Sequence, residues 1–119
     1  MKIIEVPKNT LGHELGLKPV ASIISHCSFS HSPEWFTTAP IHSTKKLLDE
    51  AKMNIKDIDL FEINEAFSVV ALVAIKNLNL DINKVNIYGG AVSMGHPIGA
   101  SGARILCTLL NELSCERKE

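Results

Sequence analysis

His96 carries the most chemical potential in this chain. It stands between Gly95 and Pro97 in the run GGAVSMGHPIGASG, which holds Gly89, Gly90, Gly95, Gly99 and Gly102, five of the seven glycines. Pro97 stiffens the turn. Glycine permits φ > 0 and close backbone approach, so its clustering marks backbone crowded against something. An imidazole with open space around it can serve as a general base or acid near neutral pH. The run is not a phosphate cradle of the familiar kinds, because it contains neither Gly-Lys-Ser/Thr nor GxGxxG. A loop packed tightly on a neighbouring strand is the plainer reading of the glycines, and it stands beside the catalytic one.

The second candidate is Asn64, in Asn64-Glu65-Ala66-Phe67, where an alternating stretch ends and an apolar helical stretch begins. As a helix cap, Asn64 would bond the first free N–H groups and Glu65 would favour the positive helix end. As a site, the pair would lie at the carboxyl end of a parallel strand, where open α/β sheets place their ligands. A side-chain amide there can hold a water or a carbonyl.

The three cysteines, Cys27, Cys107 and Cys115, form no CxxC and leave one unpaired in any disulfide scheme. This usage suits a reducing compartment, the cytoplasm first and the mitochondrion second. None has a neighbouring base or zinc-site spacing, so neither an activated thiol nor a metal site is expected. Cys107 reads as a small core residue. His13, His26, His31 and His42 are scattered and read as solvated. Trp35 and Phe36, on a long Ser-, His- and Pro-rich stretch over 26–40, fit either a ligand wall or a plug that anchors the loop.

The elements that must position these residues alternate in type. A weak helix is expected over 8–15 and a strand over 20–25. A helix opened by Pro40 runs to about Met53, and a strand spans 58–63. A helix over 64–79 is apolar around most of its circumference and is expected to be buried on several sides. A short strand over 85–88, the glycine loop and a helix over 101–113, with Ile105, Leu106, Leu109, Leu110 and Leu113 inward, complete the order. Strands alternating with helices give an α/β fold, with a mixed, mostly parallel sheet covered by helices. The order ends on a helix with no strand to follow, so the sheet is expected to lack its last strands.

With 119 residues the chain has room for one domain. Its 45% hydrophobic and 21% charged content is ordinary for a globular chain. A formal net charge of −1 gives no basic face for nucleic acid. No apolar run approaches the ~18 residues of a membrane span, and the first residues contain no signal-peptide core. No nucleic acid or membrane partner is expected.

Taken together, NEAFSVV and GGAVSMGHPIGASGARIL resemble the two signature segments of the C-terminal half of thiolases. GLKPVASIIS and the stretch from SPEWFTTAP onward resemble that half too. Within the family the segments are closest to the acetyl-CoA C-acetyltransferase (acetoacetyl-CoA) type. The similarity runs from about Leu15 to Leu113, which sets expected boundaries: an extension over 1–14, a partial thiolase C-terminal domain over 15–113 and a polar tail over 114–119.

The resemblance implies a two-step acyl transfer between acetyl-CoA and acetoacetyl-CoA, with the coenzyme A thioester as substrate and no resident cofactor. His96 would deprotonate the nucleophilic Cys and help form an oxyanion hole. Asn64 would hold a water that completes the hole. Ser25 matches a position near the pantetheine of coenzyme A, and the backbone at Gly95 would approach the thioester. The same resemblance places the nucleophilic Cys in an N-terminal half that these residues do not contain. It places the second reactive Cys in a CxGGG segment near where the sequence ends. Cys115 stands near that place, but SCERKE lacks the glycines and Cys115 is not assigned the role. The expected partner is therefore the N-terminal thiolase half or a separate chain that carries it, with a homo-oligomer once complete. The isolated chain is expected to be inactive; a non-catalytic module for coenzyme A binding or subunit interaction is the alternative. Lys52 stands where the family usually ends a helix with Gly, and a left-handed conformation there costs a non-glycine residue about 1 kcal/mol.

Overall fold

The computed structural model describes residues 11–17 and 20–116. The first helix, α1, is the single turn Leu11–Glu14. Residues 8–10 of the expected helix and most of the expected 1–14 extension lie outside the described residues. Residues 20–31 adopt no regular secondary structure and make no backbone hydrogen bond to another segment among the described residues. The strand expected over 20–25 therefore has no partner among the described residues. The loop over 26–40 is shorter than expected, because Pro33–Thr38 winds into a 3-10 helix.

Helix α2, Ala39–Ala51, follows directly, with Pro40 in its first turn. That position suits proline, since its missing N–H would have had no partner. Lys52 ends the helix with φ 54°, in the left-handed region. The N–H groups of Lys52 and Met53 then reach the carbonyls of Asp49 and Leu48 at 3.2 and 3.0 Å, which satisfies two free helix-end acceptors. Lysine thus occupies a glycine-type conformation at the position where the family pattern predicts one.

Helix α3, Ser68–Leu78, starts later than expected. Its N-cap is Phe67, in extended conformation, and no side chain caps it. Asn79 closes the helix with φ 52°, a conformation that asparagine tolerates. Val70, Ala71 and Ala74 are buried, while Phe67, Val69 and Leu72 are exposed. Burial on several sides is therefore corrected. The helix packs one face on α2 and the 3-10 helix, and its outer apolar face meets no cover among the described residues.

The expected sheet is represented among the described residues by one parallel bridge, Phe61 to Val85. The Phe61 N–H donates to the Lys84 carbonyl at 2.8 Å, and the Asn86 N–H donates to the Phe61 carbonyl at 2.9 Å. The direction matches the expectation, but the extent does not. The physical reason lies at Asn86, whose φ of 48° turns the backbone away after a single pair. From there the Asn86 side chain continues the pairing, as described below.

The glycine run contains a short helix, α4, Ala91–Met94, that sequence patterning did not reveal. Helix α5, Ser101–Glu116, completes the fold. Leu113 is buried, and Ile105, Leu109 and Leu110 are partly buried. Leu106, expected inward, is exposed, and so is Cys107, expected in the core. Instead, the inward stripe includes Ser101, Arg104 and Glu112. These polar residues recur at helical spacing on one face. No described helix is long and apolar enough to cross a membrane.

Candidate functional site

Asn86 sets the position of Asn64. Its Oδ1 accepts the Ile63 N–H at 2.8 Å, and its Nδ2 donates to the Ile63 carbonyl at 2.9 Å. One amide side chain thereby does for Ile63 what a neighbouring strand would do. The same Nδ2 donates to Glu65 Oε1 at 3.0 Å, and Glu65 Oε2 accepts the Val92 N–H of α4 at 2.9 Å. Asn64 is thus held on both sides, with Ile63 fixed before it and Glu65 after it. Glu65 does not sit in the first turn of α3; it ties the chain to the start of α4 instead.

The glycines make room for that tie. A Cβ on Gly90 would collide with the Glu65 carboxylate. Gly95 has φ 91° and ψ 163°, a region that essentially only glycine occupies. It delivers the chain into His96 at an angle that no other residue would take without strain. Nothing lies within 4 Å of where a Gly95 side chain would begin, so conformation and not crowding requires the glycine.

His96 is exposed at its outer edge and anchored at its inner one. Its Nδ1 lies 2.6 Å from the Ser101 hydroxyl. Ser101 is only 4% exposed, and its hydroxyl donates to the Pro97 carbonyl at 3.1 Å. A hydroxyl has one proton to give, so Ser101 Oγ accepts from His96, and the imidazole proton is assigned to Nδ1. The lone pair of Nε2 is left facing outward. There it meets Asn64 Nδ2 at 3.4 Å. This is a long contact, and it brings together two residues 32 positions apart.

Asn64 Oδ1 is buried and has no hydrogen-bond partner among the described residues. Buried amide oxygens are seldom left so, which leaves this one an acceptor for a donor from outside the described residues. Asn64 also lines an open cleft of about 570 Å³, together with Glu62, Ile63, Cys27, Phe29 and Phe36. The Phe36 ring lies 5.9 Å from that of Phe67, edge to face, so Phe36 both lines the cleft and anchors its segment to the start of α3. Cys27, on the far side, directs its Sγ at the Ser43 carbonyl at 3.1 Å.

Of the residues singled out from sequence, the structure brings Asn64, His96 and Gly95 together. Ser25 lies elsewhere, in a mostly apolar groove of about 230 Å³ with Ile23, Leu47, Leu48, Met53 and Leu109. The cap reading of Asn64 is overturned, because α3 begins four positions later, at Ser68, and its N-cap is Phe67. His31 and His42, read as solvated, are exposed but group with Phe29; the His42 ring stacks on it at 4.8 Å. Among the described residues, no three His, Cys, Asp or Glu side chains form a group that could hold a metal ion.

Sequence reasoning missed Asn86, Ser101 and a buried trio formed by Glu62, Arg104 and Glu112. Glu62 shares its period-2 face with buried Leu60, which is the signal that could have found it. Its side chain is 2% exposed, and Arg104 Nη1 lies 3.5 Å from its Oε2. Burial, followed by the nearby Glu112 carboxyl, pushes the Glu62 carboxyl up to about 7, against the opposing pull of Arg104.

The chain as a whole is similar to known proteins. Residues 17–119 match the model of the thiolase C-terminal domain. A probable acetyl-CoA acetyltransferase from Dictyostelium discoideum is 52% identical over 100 residues, which is 84% of this chain and 24% of that protein. The crystal structure of the Bacillus anthracis acetyl-CoA acetyltransferase superposes with a TM-score of 0.84 at 39% identity, covering 88% of this chain and 27% of that one. The Acat5 thiolase from Ascaris suum, solved in complex with coenzyme A, gives a TM-score of 0.81 at 48% identity, over 84% of this chain and 26% of that one. The chain spans about a quarter of the length of the relatives it matches.

Proposed function

The chain belongs to the thiolase family, and from that premise we propose that it supplies the His–Asn half of an acyl-transfer site. The site would act on acetyl-CoA and acetoacetyl-CoA, with the reactive thiols contributed by residues outside these 119. The observation that carries the reading is the Asn64–His96–Ser101 chain of contacts, at 3.4 and 2.6 Å.

The chemistry follows from the assigned tautomer. With Nδ1 protonated and held by Ser101, His96 offers a basic Nε2 to an incoming thiol. Taking the thiol proton creates a thiolate, the form that attacks a thioester. It also turns Nε2 into an N–H donor. That donor then stands beside a water held by the Asn64 amide, and the two converge where negative charge develops on the thioester oxygen. A donor preorganised in this way is typically worth ~10²–10³ in rate, and a positioned base ~10²–10⁴. The coenzyme A thioester is substrate, and the reading calls for no resident cofactor. The cleft beside Asn64, with Phe36 on its wall, is open enough to admit the acyl end. Ser25 contributes to pantetheine binding in this reading, from its separate groove.

The proposal predicts that the pure 119-residue chain shows no coenzyme A-dependent cleavage of acetoacetyl-CoA. Turnover should appear when residues 17–116 replace the matching segment of the Dictyostelium relative, which brings its own thiols. Turnover by the isolated chain would contradict the division of the site. A folded chimera without turnover would contradict the acyl-transfer reading and favour a module for binding or subunit pairing.

A further inference from the structure

Three residues, Asn86, Gly90 and Val92, close around the Glu65 carboxylate. Its Oε1 accepts from Asn86 Nδ2 at 3.0 Å, and its Oε2 accepts the Val92 N–H at 2.9 Å. Gly90 lies so close that a Cβ there would collide with both oxygens. The Gly90 backbone is extended, with φ −122°, a conformation open to any residue. The seat of the carboxylate, and not the backbone, therefore requires glycine at this position. Glu65 follows Asn64 directly, while Val92 lies in the turn of α4 that leads through Gly95 into His96. Within that turn the Met94 N–H donates to the Gly90 carbonyl at 3.0 Å and the Gly95 N–H to the Ala91 carbonyl at 2.8 Å. One carboxylate thus touches the segment that carries Asn64 and the turn that delivers His96.

We propose that Glu65 is a positioning residue of the acyl-transfer site: its carboxylate, held between Asn86 and Val92, sets the distance between the Asn64 amide and His96 Nε2. The inference rests on the reading of that pair as a site. Ser101 holds the imidazole from α5, and Asn86 holds Ile63 on the other side of Asn64. Neither of those bonds joins the Asn64 segment to α4. The Glu65–Val92 bond does, and it fixes the gap that the 3.4 Å contact spans. The position demands a carboxylate. Both of its partners are N–H donors, and a carboxylate accepts at both oxygens. Glutamine has the same length but one acceptor and one NH2 donor, so it satisfies one partner and opposes the other. Aspartate keeps both acceptors and reaches one methylene less. A displacement of about 1 Å at a reacting group can cost ~10² in rate, so the gap need not open far to matter. Glu65 acts through Asn64 and through α4, without touching the reacting groups itself.

The test reads geometry in the full chain by nuclear magnetic resonance at one fixed pH. The wild type should show nuclear Overhauser cross-peaks between the Asn64 side-chain amide protons and the His96 ring protons, as the 3.4 Å contact requires. Glu65→Gln should lose those cross-peaks while the backbone spectrum stays folded and the His96–Ser101 contact persists. Gly90→Ala, which displaces the same carboxylate, should cause the same loss. In Glu65→Ala, adding Gly90→Ala should lower the melting temperature less than it does in the wild type, because the side chain it would strike is gone. Leu113→Ala, at a buried position on α5, should lower stability and leave the cross-peaks in place. That control separates positioning from a general loosening of the fold. Three results would overturn the proposal: a wild type without the cross-peaks, a folded Glu65→Gln or Gly90→Ala that keeps them, or a Leu113→Ala that loses them as fully as Glu65→Gln. Turnover of the chimera tests the acyl-transfer reading separately, so either can fail alone.

Discussion

The cradle around Asn64 and His96 and the apolar flank formed by residues 20–31 and the outer face of α3 are held in opposite ways. In the cradle, nearly every backbone turn is answered by a specific side chain. Asn86 pairs with both polar groups of Ile63, Glu65 bonds α4, and Ser101 anchors the imidazole. The flank has no such devices: residues 20–31 lack cross-segment backbone bonds, and Val20, Ile23 and Leu72 are exposed. The difference teaches that this quarter of a thiolase-sized chain carries its own polar positioning. Its apolar flank meets no cover among the described residues.

The largest expected effect that would break this comparison lies at Asn86. Asn86→Ala removes three side-chain hydrogen bonds and leaves the Ile63 N–H and carbonyl without partners, which costs about 2–4 kcal/mol. Urea unfolding measures this. If Ser25→Ala, on the flank, costs as much, the cradle is not the better-held region.

Stability against pH is the second test. The folded Glu62 carboxyl is raised from 4.5 to about 7. The fold therefore holds a proton that the unfolded chain releases. The stabilisation is complete below about pH 4.5, declines as pH rises, and is lost once pH passes about 7. The account predicts a loss of up to about 3 kcal/mol across that window and a flatter profile for Glu62→Gln. A denaturant midpoint that rises from pH 5 to about 7.5 would contradict the sign.

Gly95→Ala is expected to cost about 1–3 kcal/mol from conformation alone. Its circular dichroism melt should fall further than that of Gly102→Ala, which sits in the first turn of α5 at ordinary φ with open space around it. The smallest effect belongs to the flank. Leu72→Lys should change stability by no more than about 0.5 kcal/mol while raising solubility, because it breaks an exposed apolar face. Light scattering at rising concentration distinguishes the two outcomes.

The contrast also explains what could be read from the sequence. Helices α2 and α5 were legible because apolar stripes recur at helical spacing, α3 because its segment is apolar around most of its circumference, and Lys52 because the family pattern marks a glycine there. His96 and Asn64 were legible as candidates because unusual neighbours surround them. The devices that place them were not. Asn86 acts through a left-handed backbone and a side chain that mimics a strand, and no periodicity encodes either. Glu62, Arg104 and Glu112 look like ordinary surface charges until the face they occupy is known. The sheet is less extensive among the described residues than expected because β-branched content reports what a segment does beside a neighbour, not whether that neighbour is in place.

The account rests on His96 as the base and Asn64 as its partner, and one measurement addresses both. In the chimera carrying residues 17–116 within the Dictyostelium relative, steady-state cleavage of acetoacetyl-CoA should fall by ~10²–10⁴ in kcat for His96→Ala. For Asn64→Ala it should fall by ~10²–10³. Both variants should keep the chimera's melting temperature. Variants that fold and retain kcat within about tenfold would contradict the assignment, since a lost base or oxyanion donor cannot be that cheap.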